Sequence, residues 1–221
     1  MDWEAIRLSL KLALCSTALL LPLGTALAWP LAFGRSRARL LLEAATSLPL
    51  VLPPTVLGFY LIVALGPRSP LGHAWESLTG SPLVFTFQGL LLAQTVTNLP
   101  FFLQPLVASL GGVDRRLLEA ARTLGSGGAG TYLRVALPLA WRGLLSGAIL
   151  AFAHAIGEFG VVLMVGGNIP GATRTASIAL FDQVQAFEMA GANRTALLLL
   201  ALALTVLSAT AWLRSRERAW N

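Results

Sequence analysis

Five long apolar runs, joined by short polar connections, limit the folds open to this chain more than any other feature of its sequence. They cover residues 6–33, 40–65, 83–110, 134–166 and 195–213. An α-helix needs roughly 20 apolar residues to cross the hydrocarbon of a bilayer. With 56% hydrophobic and 12% charged residues, the chain is predicted to be an all-α polytopic membrane protein with five transmembrane helices. No internal repeat or low-complexity linker divides it, so we expect one transmembrane domain over residues 1–221, with its core in 6–213.

The first run has a second interpretation as a signal peptide, because Ala26–Ala28 resembles a cleavage site. Against this, Asp2 and Glu4 accompany the basic residues at the start, and arginines follow the run. The apolar stretch is also longer than the core of a signal peptide. We therefore expect a retained span.

Basic residues cluster beside the apolar runs, and their distribution predicts how the chain crosses the membrane. The connections after the first and third runs and the C-terminal tail hold Arg35, Arg37, Arg39, Arg115, Arg116, Arg122, Arg134, Arg142, Arg214, Arg216 and Arg218. The other connections hold Arg68, Arg174 and Arg194. Because cytoplasmic loops are enriched in arginine and lysine, the C-terminus should be cytoplasmic and the N-terminus outside. This pattern accounts for the net charge of +6 without nucleic acid as a partner.

Prolines and polar residues interrupt the middle runs. Pro49, Pro53 and Pro54 should kink or break the second span, because proline removes a backbone donor. They either help to form an outer gate or serve helix packing alone. The third span carries polar side chains that must face other helices or water rather than lipid, namely Gln94, Thr95, Thr97 and Asn98.

The fourth run carries two further signals. Gly143 and Gly147 have the spacing that lets membrane helices approach closely, although glycine is common in such helices. His154 and Glu158 lie four residues apart and so on one helical face. An acid at membrane depth indicates a function, here a gate or a packing contact at the outer end of the span. A carboxylate at the outer water boundary is the alternative. The connection that follows has a partly amphipathic piece around 177–187.

The sequence holds no combination of residues typical of an enzyme or a metal site. Cys15 is the only cysteine, Lys11 is the only lysine, and His73 stands alone in a polar connection. The phosphate-binding loop GxxxxGK(S/T) is missing. We therefore predict no catalytic residue, no metal site and no cofactor bound by this chain. Energy for any transport must then come from another polypeptide.

A polar, glycine-rich segment, residues 113–138, separates the third and fourth runs. Its first part predicts a short helix from Arg115 to Leu124, with Asp114 as the N-cap. Gly125 should end this helix in a left-handed conformation. A short amphipathic helix held at a membrane surface is either a docking element for a partner or an ordinary interfacial loop.

The same segment resembles the EAA loop in the membrane subunits of bacterial ABC importers. The matching positions are Glu119, Ala120, Ala121, Gly125, Val135, Leu137 and Pro138, with Val135 where the family usually has isoleucine. The resemblance implies the type I ABC importer permease fold, with 113–138 as a coupling loop whose helix docks in a groove of an ATPase subunit. ATP would be bound and hydrolysed by that subunit. Because five spans are too few to enclose a pathway, we expect a homodimer with two ATPase subunits.

Two other stretches, Leu48–Leu61 and Gly157–Phe181, resemble the molybdate permease branch of this family. They imply a permease of the bacterial inner membrane for molybdate, with tungstate as a similar oxyanion, supplied by a binding protein outside the membrane. Sulfate or thiosulfate permeases are the nearest competing branch. A stand-alone secondary transporter is a more distant alternative, and it should show inverted repeats.

A pathway for a tetrahedral dianion should offer neutral hydrogen-bond donors rather than a deep electrostatic well. The candidate residues for pathway or gate are Pro53, Pro54, Gln94, Thr95, Asn98, Glu158, Gly160 and Asn168. Glu158 would repel an anion, so a gating or packing role is expected for it rather than contact with the substrate.

Overall fold

The structure, a computed structural model, describes residues 2–34 and 36–218, with side chains described as far as residue 208. Arg35, one of the predicted cytoplasmic charges, lies outside the described residues, as do the side chains of Arg214, Arg216 and Arg218. The described part of the chain is helical and has no strand.

Twelve α-helices and one π-helical turn follow one another along the described residues. They are α1 (Trp3–Phe33), α2 (Arg37–Val51), α3 (Pro54–Leu65), α4 (Pro70–Thr79), α5 (Phe87–Gly111), α6 (Arg115–Thr123), α7 (Gly128–Thr131), the π-helical turn (Tyr132–Ala136), α8 (Leu137–Leu139), α9 (Trp141–Gly157), α10 (Gly160–Gly166), α11 (Ala176–Gln185) and α12 (Met189–Arg218).

Three described helices are long and apolar enough to cross a membrane: α1, α5 and the Met189–Ser208 part of α12. Two bent pairs pass the same test if each is taken as one span. In the first pair α2 and α3 meet at 119°, and in the second the segment Gly128–Leu139 meets α9 at 75°. The five predicted spans therefore correspond to three continuous helices and two bent pairs.

The second run breaks where its double proline predicts. α2 continues past Pro49 and ends at Val51, and α3 begins at Pro54. Proline is tolerated at the first position of a helix, because the N–H groups of the first turn have no partner within the helix. Pro53 and Pro54, rather than Pro49, therefore set the break.

The fourth run differs from the continuous span predicted over residues 134–166. α9 ends at Gly157 and a separate helix, α10, begins at Gly160. A π-helical turn and a bend precede α9. The connection after α3 is also more regular than expected, since it contains α4, whose N-cap Ser69 accepts a hydrogen bond from Gly72 N. His73 is exposed on that helix.

The centre of the molecule is formed by α1, α5 and α9, which pack closely together. A side chain at Gly143 would overlap with Ser109 and with the backbone at Pro105, both in α5. A side chain at Gly147 would overlap with the backbone of Phe102 in the same helix. The close helix approach predicted from the glycine spacing is thus confirmed.

α1 joins two polar ends of the molecule. At its start, Asp2 lies 4.0 Å from Arg174, and Ser9 Oγ accepts a hydrogen bond of 2.8 Å from Ala176 N. At its end, residues 32–34 line a pocket together with residues of α6. The 31 residues of α1 span about 46 Å at about 1.5 Å per residue. The coupling loop and the connection before α11 therefore lie at opposite ends, as the predicted topology requires.

Candidate coupling and gating sites

The short helix predicted in the coupling loop is present. α6 runs from Arg115 to Thr123, and Asp114 Oδ1 accepts a hydrogen bond of 2.9 Å from Arg116 N at its start. Gly125 follows with φ +85°, in the left-handed region. A β-carbon at this position would meet no other atom within 4 Å, so the backbone angle alone demands glycine here. Both ends of the helix thus follow from local sequence.

The two faces of α6 have different surroundings. Arg115, Leu118, Glu119 and Arg122 line a pocket together with residues from the end of α1 and from α2. The opposite face holds Leu117, Ala120, Ala121 and Leu124. Leu117 is 48% exposed and Leu124 is 88% exposed. The outer face of α6 therefore leaves apolar side chains exposed. Among the predicted coupling residues, Ala120 and Ala121 lie on this outer face, whereas Glu119 is exposed beside the pocket at the end of α1.

The second half of the coupling loop is anchored to the core. Val135 and Leu137 pack against the hydrophobic cluster that contains Phe102 and Leu106, and Ala136 is 1% exposed. Pro138 is exposed and has no N–H to donate, which suits a segment that bends by 75° before α9. Val135, Leu137 and Pro138 therefore position the loop rather than extend the outer face of α6.

Tyr132 and Trp29 hold the same segment onto α1, a contact that the sequence patterns did not predict. The Tyr132 hydroxyl donates a hydrogen bond to the carbonyl oxygen of Thr25. The two rings meet edge to face with centroids 4.7 Å apart. A tyrosine and a tryptophan near the end of a membrane helix are the signal that could have found it, because both residues prefer the membrane interface.

The breaks in the second and fourth runs lie against each other. Pro54, the first residue of α3, occupies the space that a β-carbon on Gly160 would need. Further along the two helices, Gly58 makes room for Met164 and for the backbone at Val161. Two of the predicted gate residues, Pro54 and Gly160, are thus brought into contact.

Glu158 caps the start of α10. Its Oε1 accepts a hydrogen bond of 2.8 Å from Val161 N, and its side chain is 8% exposed. Ser177 Oγ donates a hydrogen bond of 2.6 Å to the Glu158 carbonyl oxygen. Glu158 precedes the N-cap residue Phe159, and its carboxylate satisfies a backbone donor that has no partner within the helix. The carboxylate therefore stabilises the break between α9 and α10.

His154 connects Glu158 to α5. Its Nδ1 lies 2.8 Å from Asn98 Oδ1, and its Nε2 lies 3.9 Å from Glu158 Oε2. The ring of Phe101 stacks on the imidazole at 3.8 Å. The predicted proximity of His154 and Glu158 is confirmed, although Glu158 lies just past the end of α9 and not within a continuous helix. Asn98 joins them through a contact between helices.

The rest of the polar stripe on α5 is buried, as expected for residues that cannot face lipid. Thr95 and Thr97 donate their hydroxyl protons to the carbonyl oxygens of Leu91 and Ala93, at 2.7 and 2.9 Å. These threonines therefore offer only acceptor capacity to other groups. Gln94 is 0% exposed, and neither polar atom of its side chain has a hydrogen-bond partner among the described residues. Asn98 Nδ2 is likewise buried and has no hydrogen-bond partner among the described residues.

Asn168 belongs to a separate polar cluster at the end of the molecule where α1 begins. Its Oδ1 accepts a hydrogen bond of 2.6 Å from Arg174 Nε, and its Nδ2 donates one of 2.7 Å to Asp182 Oδ2. Arg174 also lies 3.6 Å from Asp182 and 4.0 Å from Asp2. Asn168 thus orders a surface that joins the N-terminus to α11.

Comparison with known proteins agrees with these features. Residues 21–219 match the family described as the binding-protein-dependent transport system inner membrane component. The molybdenum transport system permease protein ModB of Azotobacter vinelandii is 50% identical over 192 residues, 87% of this chain and 85% of that protein. A probable sulfate transport system permease protein of Nephroselmis olivacea is 33% identical, over 97% of this chain and 75% of that protein.

The fold also matches a solved structure. A chain in the crystal structure of a bacterial alginate ABC transporter, in complex with an alginate pentasaccharide-bound periplasmic protein, aligns with a TM-score of 0.72. The alignment covers 98% of this chain and 78% of that chain at 14% sequence identity, so it supports the fold alone. The helical architecture, the capped helix of the coupling loop and the family match lead to one assignment. This chain belongs to the family of binding-protein-dependent transport system inner membrane components.

Proposed function

We propose that this chain is the membrane subunit of an ATP-driven importer for molybdate, with tungstate as a similar oxyanion. The observation that carries the coupling part is α6, a capped helix at one end of the bundle whose outer face is apolar and exposed. The observation that favours the substrate is the 50% identity to a molybdenum permease, against 33% to a probable sulfate permease. Sulfate is therefore the competing substrate.

In this proposal, ATP is bound and hydrolysed by a partner subunit. The outer face of α6, with Leu117, Ala120 and Leu124, enters a groove of the ATPase. Val135 and Leu137 link this helix to the core through their contacts with the cluster around Phe102. Movement of α6 on ATP binding is then passed to α5 and α9 through packed side chains rather than through a flexible linker.

Two copies of the chain form the pathway, related by a two-fold axis, the commonest symmetry of homo-oligomers. The coupling loop lies on the cytoplasmic side of the bacterial inner membrane and the N-terminus lies outside, as the arginine distribution indicates. The cluster of Asp2, Asn168, Arg174 and Asp182 then faces the binding protein that delivers the anion.

The paired breaks at Pro53–Pro54 and Glu158–Gly160 serve as the gate. Irregular backbone at membrane depth is tolerated where it is buried in protein or lines a cavity. The Glu158 cap and the contact between Pro54 and Gly160 hold the gate closed, and separation of α3 from α10 opens the gate. The amide N–H groups of Gln94 and Asn98, which have no hydrogen-bond partner among the described residues, are available to replace part of the hydration shell of the anion.

Uptake by the assembled transporter tests the proposal. Proteoliposomes that contain the permease, its ATPase and its binding protein should accumulate molybdate when ATP is supplied to the ATPase. Excess tungstate should abolish the accumulation, and an equal excess of sulfate should leave it unchanged. If sulfate competes better than tungstate, the substrate assignment is wrong. ATP-independent uptake by the permease alone would contradict the coupling mechanism.

A further inference from the structure

Arg39, near the start of α2, lines two neighbouring cavities. One is a groove of about 280 Å³ between α1, α2 and α5, whose other polar residues are Glu43, Thr46, Ser47 and Gln104. The other is the pocket of about 330 Å³ beneath α6, with Arg115, Glu119 and Arg122. Arg39 is the residue that the two cavities share, so its guanidinium lies between the groove and the pocket at the coupling loop.

The donors of Arg39 are poorly used within the chain. Its Nε is buried and has no hydrogen-bond partner among the described residues. Its Nη1 donates only a long hydrogen bond of 3.4 Å to the Gly34 carbonyl oxygen. A buried donor without a partner costs free energy, most of all when the group is charged. Arg39 lines both cavities, and the remaining N–H groups of a planar guanidinium match the geometry of an oxyanion.

The lower pocket concentrates positive charge. Three arginines and one glutamate line it, which leaves two positive charges in excess. No ion pair joins Arg39, Arg115 or Arg122 to an acidic side chain among the residues that the structure describes. A concave surface with charge of one sign raises the local concentration of ions of the other sign. Glu119 opposes this charge and would keep an anion from being held too tightly.

We propose that Arg39, with Arg115 and Arg122, forms a binding site for a tetrahedral oxyanion at the coupling-loop end of the permease. The same chemistry has two sources, a free oxyanion that leaves the bundle through the groove and the phosphate of an anionic lipid. The continuity of the groove with the pocket favours the free oxyanion. That this anion is molybdate rests on the proposed function.

The test uses the whole permease–ATPase complex without nucleotide and without binding protein, in nanodiscs of phosphatidylcholine. Molybdate binding is measured by equilibrium dialysis and elemental analysis. The ATPase subunits are identical in all samples, so a difference between variants reports on the permease. Arg39→Gln should weaken molybdate binding at least tenfold, and Glu119→Gln should strengthen it several-fold. Arg37→Gln, an exposed position on the same helix that lines neither cavity, is the matched control and should bind as the parent does.

A second arm separates the two sources. In nanodiscs that contain phosphatidylglycerol, native mass spectrometry counts the anionic lipids that stay bound to the complex. Loss of a retained lipid in Arg39→Gln, with molybdate binding unchanged, would assign the site to the lipid phosphate. If neither ligand responds to Arg39→Gln, or if Arg37→Gln has the same effect, the site does not exist. If the Arg39 variant fails to assemble, molybdate binding is measured with Arg122→Gln instead. Arg122 lies on the surface of α6 and lines the same pocket from the side opposite Arg39.

Molybdate uptake by the parent complex is measured in parallel. A parent that transports molybdate while its Arg39 variant binds molybdate normally would refute this site and leave the proposed function intact. A parent that does not transport molybdate would refute the proposed function instead.

Discussion

Replacing Gly147 by alanine should push α9 away from α5. The added β-carbon would overlap with the carbonyl oxygen of Phe102 and lie 3.1 Å from its carbonyl carbon. These are backbone atoms of a buried helix, so no side chain can turn aside to make room. The helix axes must separate, and the packing around the fully buried Phe102 ring must loosen.

The size of the effect follows from two opposing terms. Alanine is favoured over glycine within a helix by about 1 kcal/mol. Overpacking of a tightly packed interior costs about 1–3 kcal/mol, and a clash with backbone belongs at the upper end. The expected result is a net loss of about 2 kcal/mol, which for a chain of this size lowers the unfolding midpoint by about 4–8 °C.

The matched control is Gly111→Ala at the end of α5, where a β-carbon meets nothing within 4 Å. Gly111→Ala gains the helix propensity of alanine without a steric clash. The unfolding midpoint of this variant should therefore equal or exceed that of the parent. Thermal unfolding of the purified permease, followed by the fluorescence of its six tryptophans, gives both midpoints. Equal midpoints for Gly147→Ala and the parent would refute the close approach of α5 and α9.

Three further predictions concern the candidate sites. Gly125→Ala places a β-carbon on a residue with left-handed backbone angles, at a cost of about 1–3 kcal/mol. Backbone amides at the end of α6 should therefore exchange their hydrogens with solvent faster in this variant. Gly127→Ala, at a position with φ −64°, should leave that exchange unchanged. Leu124→Asp should reduce ATPase retention on affinity purification at least tenfold; Leu78→Asp, 84% exposed on α4, should retain it. Glu158→Ala should lower the unfolding midpoint through loss of a cap worth about 1 kcal/mol, and Glu158→Gln should restore it. A Gln variant as unstable as the Ala variant would show that the cap hydrogen bond is not what stabilises this break.

Local signals predicted several elements well. α6 has a capping aspartate before it and a glycine after it, and both act within a few residues of the helix. The break at Pro53–Pro54 follows from the missing backbone donors. The approach at Gly143 and Gly147 follows from the absence of side chains. In each case the residue that fixes the local geometry lies at the position where that geometry occurs, so the sequence alone reveals it.

The break after Gly157 was not predicted, because the apolar run continues beyond Gly157, Glu158 and Gly160. Besides the local cap by Glu158, two contacts that stabilise it are distant along the chain: Ser177 binds the Glu158 carbonyl oxygen, and Pro54 packs on Gly160. The position of Glu119 beside the pocket likewise depends on how α6 lies against α1 and α2. Periodicity divides a helix into faces, but it does not say which face the rest of the molecule covers.

The contact between Tyr132 and Thr25 gives α1 a mechanical role. The coupling loop is fastened to this helix at one end, and Asp2 and Ser9 fasten the other end to the loop before α11. α1 therefore resembles a strut between the two faces of the bundle. In the proposed mechanism, movement of the coupling loop would reach the opposite surface through this one continuous helix, without passing through the proposed gate. We expect Tyr132→Phe, which keeps the ring but removes the tether, to leave ATP hydrolysis intact while reducing its stimulation by the binding protein. Unchanged stimulation would show that the strut carries no signal.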